Sequence, residues 1–148
     1  MAVYSFLNVS ATINGPGVSS PLGYGSAVAK EGIEVARAGD KNKMDIGADG
    51  EGMHSLRADK SGQITVRLLK TAPANAVLMA AYDAQSLDAS LWGQNIITVS
   101  NSEVGDIHTA RSCAFKKVPN MKYAEDGDIL EWIFDSIKID SILGTYAP

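Results

Sequence analysis

Few residues in this sequence could do chemistry. There are two histidines, His54 and His108, and one cysteine, Cys113. A cysteine nucleophile needs a general base beside it, and a zinc site needs cysteine and histidine at short, regular spacings. Neither pattern is present, and the run RSCAF around Cys113 is typical of a strand in which cysteine is a small apolar residue. We therefore predict no catalytic residue and no cofactor; an enzyme would need Cys113 and a histidine to meet in a cleft.

Acidic and glycine-rich runs suggest turns rather than ligand sites. The run from Asp45 to Glu51, DIGADGE, lacks the twelve-residue pattern of a calcium loop that ends in a bidentate glutamate. The runs Gly15-Pro16-Gly17 and Gly23-Tyr24-Gly25 do not join a strand to a helix, so they form no phosphate-binding loop. We predict no metal site.

Length and charge exclude several classes of protein. The chain has 148 residues, which predicts one domain, with a net charge of −4 and a pI near 5.1. This acidic balance argues against a protein that grips nucleic acid along a basic face, although not against one that encloses DNA. No apolar run approaches the ~20 residues of a membrane span, and the N-terminal MAVYSFLNVSA lacks the basic start of a signal peptide. The expected compartment is the cytosol.

Residues 62–84 organise the rest of the chain. From Gln63 to Leu69 apolar and polar side chains alternate, which predicts a half-buried strand. After Pro73 the apolar residues recur at helical spacing, so we predict a helix over about 73–85. Residues 86–93 could extend that helix or form a loop. A sheet with one apolar face needs a cover, and this helix is the only candidate for it.

The remaining segments are mostly strand-like. Predicted strands span Val3–Ile13, Val18–Leu22, Gly32–Arg37, Asn95–Asn101, His108–Val118 and Asp128–Ile139. In the last strand Leu130, Trp132 and Phe134 share a face, but beyond Ser136 the apolar set shifts to Ile137 and Ile139. That change of parity predicts a bulge or a crossing between sheets. Together these segments predict a mainly β fold of two packed antiparallel sheets, a β-sandwich or partly open barrel, with one flanking helix.

Residues 40–61 contain only two short, weakly apolar pieces, at 44–46 and 53–56. They hold too little apolar surface to form a core, which predicts a projecting hairpin or a long ordered loop.

Several stretches in sequence order resemble one protein family. They include KMDIGADGEGMHSLRADKSGQITVRLLKTAPANAVL, WGQNIITVSN, CAFKKVPNMKYAEDGD and EWIFDSIKID. The chain resembles the tail tube subunits of contractile-tailed bacteriophages and prophages over nearly its whole length. The resemblance implies a tail-tube module, two packed β-sheets with a flanking helix, whose copies form hexameric rings that stack into a hollow tube.

The resemblance also implies partners and a location. Expected partners are other copies of the chain, a tail sheath protein, and baseplate and tape-measure proteins, with DNA passing through the bore without specific binding. The expected location is the virion tail, assembled in the cytoplasm of the host bacterium. The tube of a tail-like bacteriocin or of a type VI-like secretion system remains an alternative, as does a β-sandwich tail accessory module that binds a ligand.

The projecting segment supplies the only residues for which we predict a role. It carries apolar residues and has no core of its own to bury them, so we expect it to reach a neighbouring subunit. The predicted contact residues are Met44, Asp45, Ile46, Met53, His54 and Leu56.

Overall fold

Strands make up about half of the chain in the computed structural model, which describes residues 2–146. They are β1 Val9–Gly15, β2 Val18–Pro21, β3 Val28–Arg37, β4 Asn42–Ile46, β5 Gly52–Leu56, β6 Gly62–Leu69, β7 Asn95–Asn101, β8 Asp106–Lys117 and β9 Ile129–Ile142. One α-helix, α1, spans Ala74–Gln85 within those described residues. The mainly β class with a single helix is confirmed.

Seven strands form one antiparallel sheet in the order β2-β1-β7-β8-β9-β6-β3, and β4 and β5 form a separate two-stranded sheet. Ile13 of β1 and Val66 of β6 lie near opposite ends of the large sheet, yet both belong to one buried core. The large sheet is therefore curled, as expected of a partly open barrel.

The core lies between the curled sheet and α1. Trp132 and Phe134 of β9 are fully buried, and the Phe115 ring of β8 lies 6.0 Å from the Trp132 ring. From the helix side, Leu78 is fully buried and Asn75 accepts a hydrogen bond of 3.0 Å from the Trp132 indole N–H. The helix thus covers the apolar face of the sheet.

Both ends of α1 are fixed by side-chain amides. Asn75 donates to the carbonyl oxygens of Leu69 and Lys70 at 2.9 and 3.2 Å, which ties the helix start to the end of β6. At the other end Gln85 and Asn95 are buried and exchange two hydrogen bonds of 2.9 Å. The residues after Gln85 form turns rather than a longer helix.

The N-terminal strand predicted from Val3 to Ile13 is too long. Residues Phe6–Asn8 form a turn of 3-10 helix, and the strand begins only at Val9. The Ser5 hydroxyl accepts a hydrogen bond of 3.1 Å from the Leu7 N–H, which favours this turn over an extended chain. The alternation of side chains continues through the turn, so the sequence pattern alone hides it.

The strand predicted from Gly32 to Arg37 is too short, since β3 starts at Val28. Pairing with β6 is irregular between Val28 and Ile33, and Gly32 has a φ of +66°. The bulge interrupts the alternation by which a strand is recognised.

The predicted change of parity in β9 is present. Leu130 to Ser136 are buried at every second position, and the next buried residue is Ile139. Strand β8 has the same three-residue step between Ala110 and Cys113. Ile137 does not join the buried face as expected, because it falls inside the step and is 72% exposed.

Candidate assembly surfaces

The first surface is the β4–β5 hairpin. Met44 lies opposite His54 and Asp45 lies opposite Met53. The turn between the strands is closed by a hydrogen bond of 2.7 Å from the Gly47 N–H to the Glu51 carbonyl, and Gly50 has a φ of +88°. This φ suits glycine, because a side chain would clash with the backbone there.

The hairpin divides the six predicted contact residues between its two faces. Residues directly opposite each other in an antiparallel pair share a face. Met44, Ile46, His54 and Leu56 therefore lie on one face, which we call the apolar hairpin face, while Asp45 and Met53 lie on the other.

Neither hairpin face is covered within the described chain. Met44 and Met53 are each 58% exposed, and Leu56 is 84% exposed. Neighbouring exposed apolar side chains on a soluble protein commonly mark a contact with another molecule.

A second candidate surface is the pair of edges of the large sheet. Strands β2 and β3 are the end members of its strand order, so among residues 2–146 each pairs with a single neighbour in that sheet. An edge strand presents free N–H and C=O groups to which another strand can hydrogen-bond.

The third surface is a cluster of charges around Asp140, which we call the basic cluster. Its carboxylate lies 2.7 Å from Arg111 Nη1, 3.3 Å from Lys60 Nζ and 3.9 Å from Lys138 Nζ. Arg37 joins the cluster through a hydrogen bond of 3.1 Å from its Nη2 to the Ser141 hydroxyl. The hydrogen bond from Lys60, and then the nearby positive charges, lower the pKa of Asp140.

Sequence reasoning did not find the basic cluster. Its residues come from four separate strands or loops, and the register that sets Arg111 opposite Lys138 is visible only in the paired sheet. The one signal in the sequence is the pair of opposite charges two residues apart, Lys138 and Asp140.

A second group of charged side chains lies on strands β3, β6 and β9. Arg67 lies opposite Glu131, and its guanidinium is 3.1 Å from Glu131 and 3.4 Å from Glu34. Asp135 accepts a hydrogen bond of 3.1 Å from the Gln63 side chain. Among these residues the carboxylates outnumber Arg67, so this patch is acidic where the basic cluster is positive.

The chemically capable side chains are separated. His54 hydrogen-bonds to Asn42 at 3.1 Å and His108 to Ser141 at 2.8 Å. Cys113 is fully buried against the Ala110 carbonyl, and burial raises its pKa, which keeps the thiol protonated and unreactive. Over residues 2–146 no three acidic, histidine or cysteine side chains are grouped so as to hold a metal ion.

Comparison with known proteins identifies a family for this chain. The profile of the family described as bacteriophage PhiTE tail tube protein matches residues 1–144. A search of curated proteins gave no match. No helix in the described part of the chain is long and apolar enough to cross a membrane.

Solved structures with a similar fold come from contractile injection systems. The sheath/tube terminator structure of the extracellular contractile injection system PVC, in its extended state, has a TM-score of 0.62 at 13% identity, covering 96% of this chain and 98% of that one. The PVC sheath-tube complex gives 0.55 at 11% identity, covering 90% and 88%. The tube-terminating cap of the anti-feeding prophage gives 0.54 at 8% identity, covering 97% and 95%.

Proposed function

The chain belongs to the bacteriophage PhiTE tail tube protein family, and from this premise we propose that it is the repeating structural subunit of the inner tube of a contractile tail. The observation that carries the proposal is the open sheet, whose edge strands β2 and β3 lack a second partner within the described residues. Side-by-side copies would pair these edges and remove them from solvent.

The proposed assembly is a hexameric ring that stacks on identical rings. If about four of the seven strands of each of six subunits line the bore, while the others curl away from it, ~24 strands at ~4.8 Å spacing and ~40° tilt give a circumference of about 150 Å. The backbone diameter is then about 48 Å, which leaves room for a DNA duplex after the side chains are subtracted. The net charge of −4 suits a conduit, because a wall that bound phosphates tightly would slow the passage of DNA.

Within that tube we propose that the hairpin reaches a neighbouring subunit. Its contact residues are Met44, Asp45, Ile46, Met53, His54 and Leu56, the same six that the sequence predicted. The exposure of the apolar members supports this role, because side chains that face water in the isolated subunit gain free energy when a neighbour covers them.

The tube would run inside a sheath and join baseplate and tape-measure proteins, in the tail of a virion assembled in the host cytoplasm. The role is structural and not enzymatic, which fits the separation of His54, His108 and Cys113.

The test is electron microscopy of the purified protein at high concentration. We expect rings and hollow tubes by negative stain, and a variant lacking residues 45–51 that remains a folded monomer. A wild-type protein that stays monomeric at high concentration in size-exclusion chromatography would contradict the proposal. Unchanged tubes from the deletion variant would show that the hairpin is not part of the contact between subunits, but would not contradict the tube function.

A second candidate function is a terminator that closes the end of a tube. It is favoured by the similarity to the PVC terminator structure and to the anti-feeding prophage cap. The same micrographs distinguish the two roles, because a terminator would form single rings that do not elongate, whereas a tube subunit forms stacks of varied length.

A further inference from the structure

We propose that the hairpin of one subunit docks on the basic cluster and the adjoining groove of a second copy of this chain. This contact would join subunits head to tail. It rests on the proposed tube function and adds the receiving surface for the hairpin.

The receiving surface carries uncompensated positive charge. Lys60, Arg111 and Lys138 share one carboxylate, that of Asp140, and Arg37 is held beside them by Ser141. Lys41 and Asp59, which line the adjoining pocket, cancel each other, so the basic cluster keeps a formal excess of three positive charges. The side chains of Lys60, Arg111 and Lys138 remain 49%, 51% and 51% exposed, so a further carboxylate can approach them. A partner that brings negative charge is therefore favoured at this site.

The hairpin carries the opposite charge. Asp45, Asp49 and Glu51 face only one basic residue, Lys43, between residues 42 and 56, which leaves a formal charge of −2. Lys43 lies 4.0 Å from Asp45, at the limit of an ion pair, and Glu51 has no ion pair among the described residues. The hairpin's acidic side chains are thus available to a partner.

The two charged regions are held apart within one chain. The basic cluster includes Lys60, close to the base of the hairpin, where the Arg57 N–H donates to the Lys41 carbonyl at 2.9 Å. Five paired residues in each strand carry the turn of the hairpin roughly 16 Å away from this base. Because the paired hairpin holds its acidic turn away from the cluster near its base, we assign the contact to two copies of the chain, in a heterologous contact that repeats from subunit to subunit.

A groove beside the basic cluster provides an apolar counterpart. It has a volume of about 1070 Å³ and shares Lys60 and Lys138 with the cluster. Its lining includes Trp92, Ala114 and the exposed side chain of Ile137. Met53, which lies on the same hairpin face as Asp45, would bury against these side chains while the acidic residues contact the cations. Asp59 and Asp135 also line this groove, so the acidic residues of the hairpin would lie on its Lys60 and Lys138 side.

Charge reversal tests this pairing. One variant carries Asp45→Lys and Glu51→Lys on the hairpin, and the other carries Lys60→Glu and Lys138→Glu on the cluster. Each variant alone should raise the critical concentration for tube formation by about a hundredfold or more, because every reversed pair loses attraction and gains repulsion. An equal mixture should form tubes again, since each altered surface then meets its complement.

Controls separate this inference from the proposed function. A variant with Lys116→Glu and Lys117→Glu makes the same change in net charge as the cluster variant, at exposed positions outside the cluster, and should polymerise like the wild type. Wild-type tubes together with tubes from each reversed variant alone, or no tubes from the mixture, would overturn the docking while leaving the tube function intact. Absence of wild-type tubes would instead overturn the proposed function.

Disulfide trapping gives a second readout that does not depend on tube counts. Protein with Asp45→Cys is mixed with protein carrying Lys138→Cys and oxidised. We expect a covalent heterodimer, and the native Cys113 should not interfere because it is fully buried. Replacing the first partner by Leu87→Cys, at a loop position that is 88% exposed, should give none. Equal trapping of the Leu87→Cys and Asp45→Cys proteins would overturn the assignment.

Discussion

The seven-stranded sheet and the β4–β5 hairpin use the same antiparallel backbone pairing, but they differ in what their side chains contact. In β6 the side chains of Ile64, Val66 and Leu68 are at most 1% exposed. In the hairpin Met44 and Leu56 are 58% and 84% exposed. Backbone pairing without burial is marginal in water, since a two-stranded hairpin alone has little stability.

Residue type does not explain this difference. Ile46 is 60% exposed in the hairpin, whereas Ile64 is 1% exposed in the sheet. What separates them is the presence of a covering layer, because the sheet has α1 over its apolar face and the hairpin has no second layer in the described chain. The free energy of folding therefore comes mainly from the covered sheet, while the hairpin side chains remain exposed.

The substitution Trp132→Ala should break the subunit itself. It removes a fully buried ring and leaves the Asn75 side-chain oxygen without its donor, so we expect a loss of about 3 to 5 kcal/mol in the free energy of unfolding. Urea unfolding at concentrations where the protein is monomeric measures this loss.

The matched hairpin substitution is Met53→Ala, at a side chain that is 58% exposed. We expect a change in unfolding free energy within about 0.5 kcal/mol, because no described layer covers it. Equal losses from Trp132→Ala and Met53→Ala would mean that the hairpin is part of the folding core, and the contrast between the two regions would fail.

A smaller effect is expected from the polar contact that fixes α1 to the sheet. Gln85→Ala removes two hydrogen bonds of 2.9 Å to Asn95, whose side chain is then buried with fewer partners. We expect a loss of about 1 to 3 kcal/mol in the same unfolding measurement. The control Gln63→Ala also removes an amide, but its partner Asp135 is exposed to water, so its loss should be smaller. A loss from Gln63→Ala larger than that from Gln85→Ala would contradict the expectation that the buried contact with Asn95 stabilises the fold more.

Local alternation was enough to predict the sheet strands that bury one face. The shared face predicted for Leu130, Trp132 and Phe134 is confirmed, since all three side chains of β9 are buried. The prediction failed where a local hydrogen bond competed with the strand pattern, as at Ser5, and where a bulge interrupted it, as at Gly32.

The candidate assembly surfaces were only partly predictable for a different physical reason. A projecting hairpin could be predicted because residues 40–61 lack enough apolar surface for a core. The basic cluster depends on the register that brings Arg111 beside Lys138 and on the approach of Lys60 to Asp140. Register is set by long-range pairing, so residues of the cluster that are distant in sequence carry no shared local pattern.

Substitution of Leu56 should have the smallest effect on stability and a large effect on assembly. Leu56→Ser exchanges an apolar side chain that is 84% exposed for a polar one, so the unfolding free energy should change by less than about 0.5 kcal/mol. On the proposed contact, the same change removes apolar area that is buried only between subunits, and tube formation should need a higher protein concentration. Leu87→Ser, at a loop position that is 88% exposed, is the control and should leave both quantities unchanged. Because stability and assembly are read from the same two proteins, a Leu56→Ser subunit that polymerises as readily as the control would show that exposure in the hairpin has no role in joining subunits.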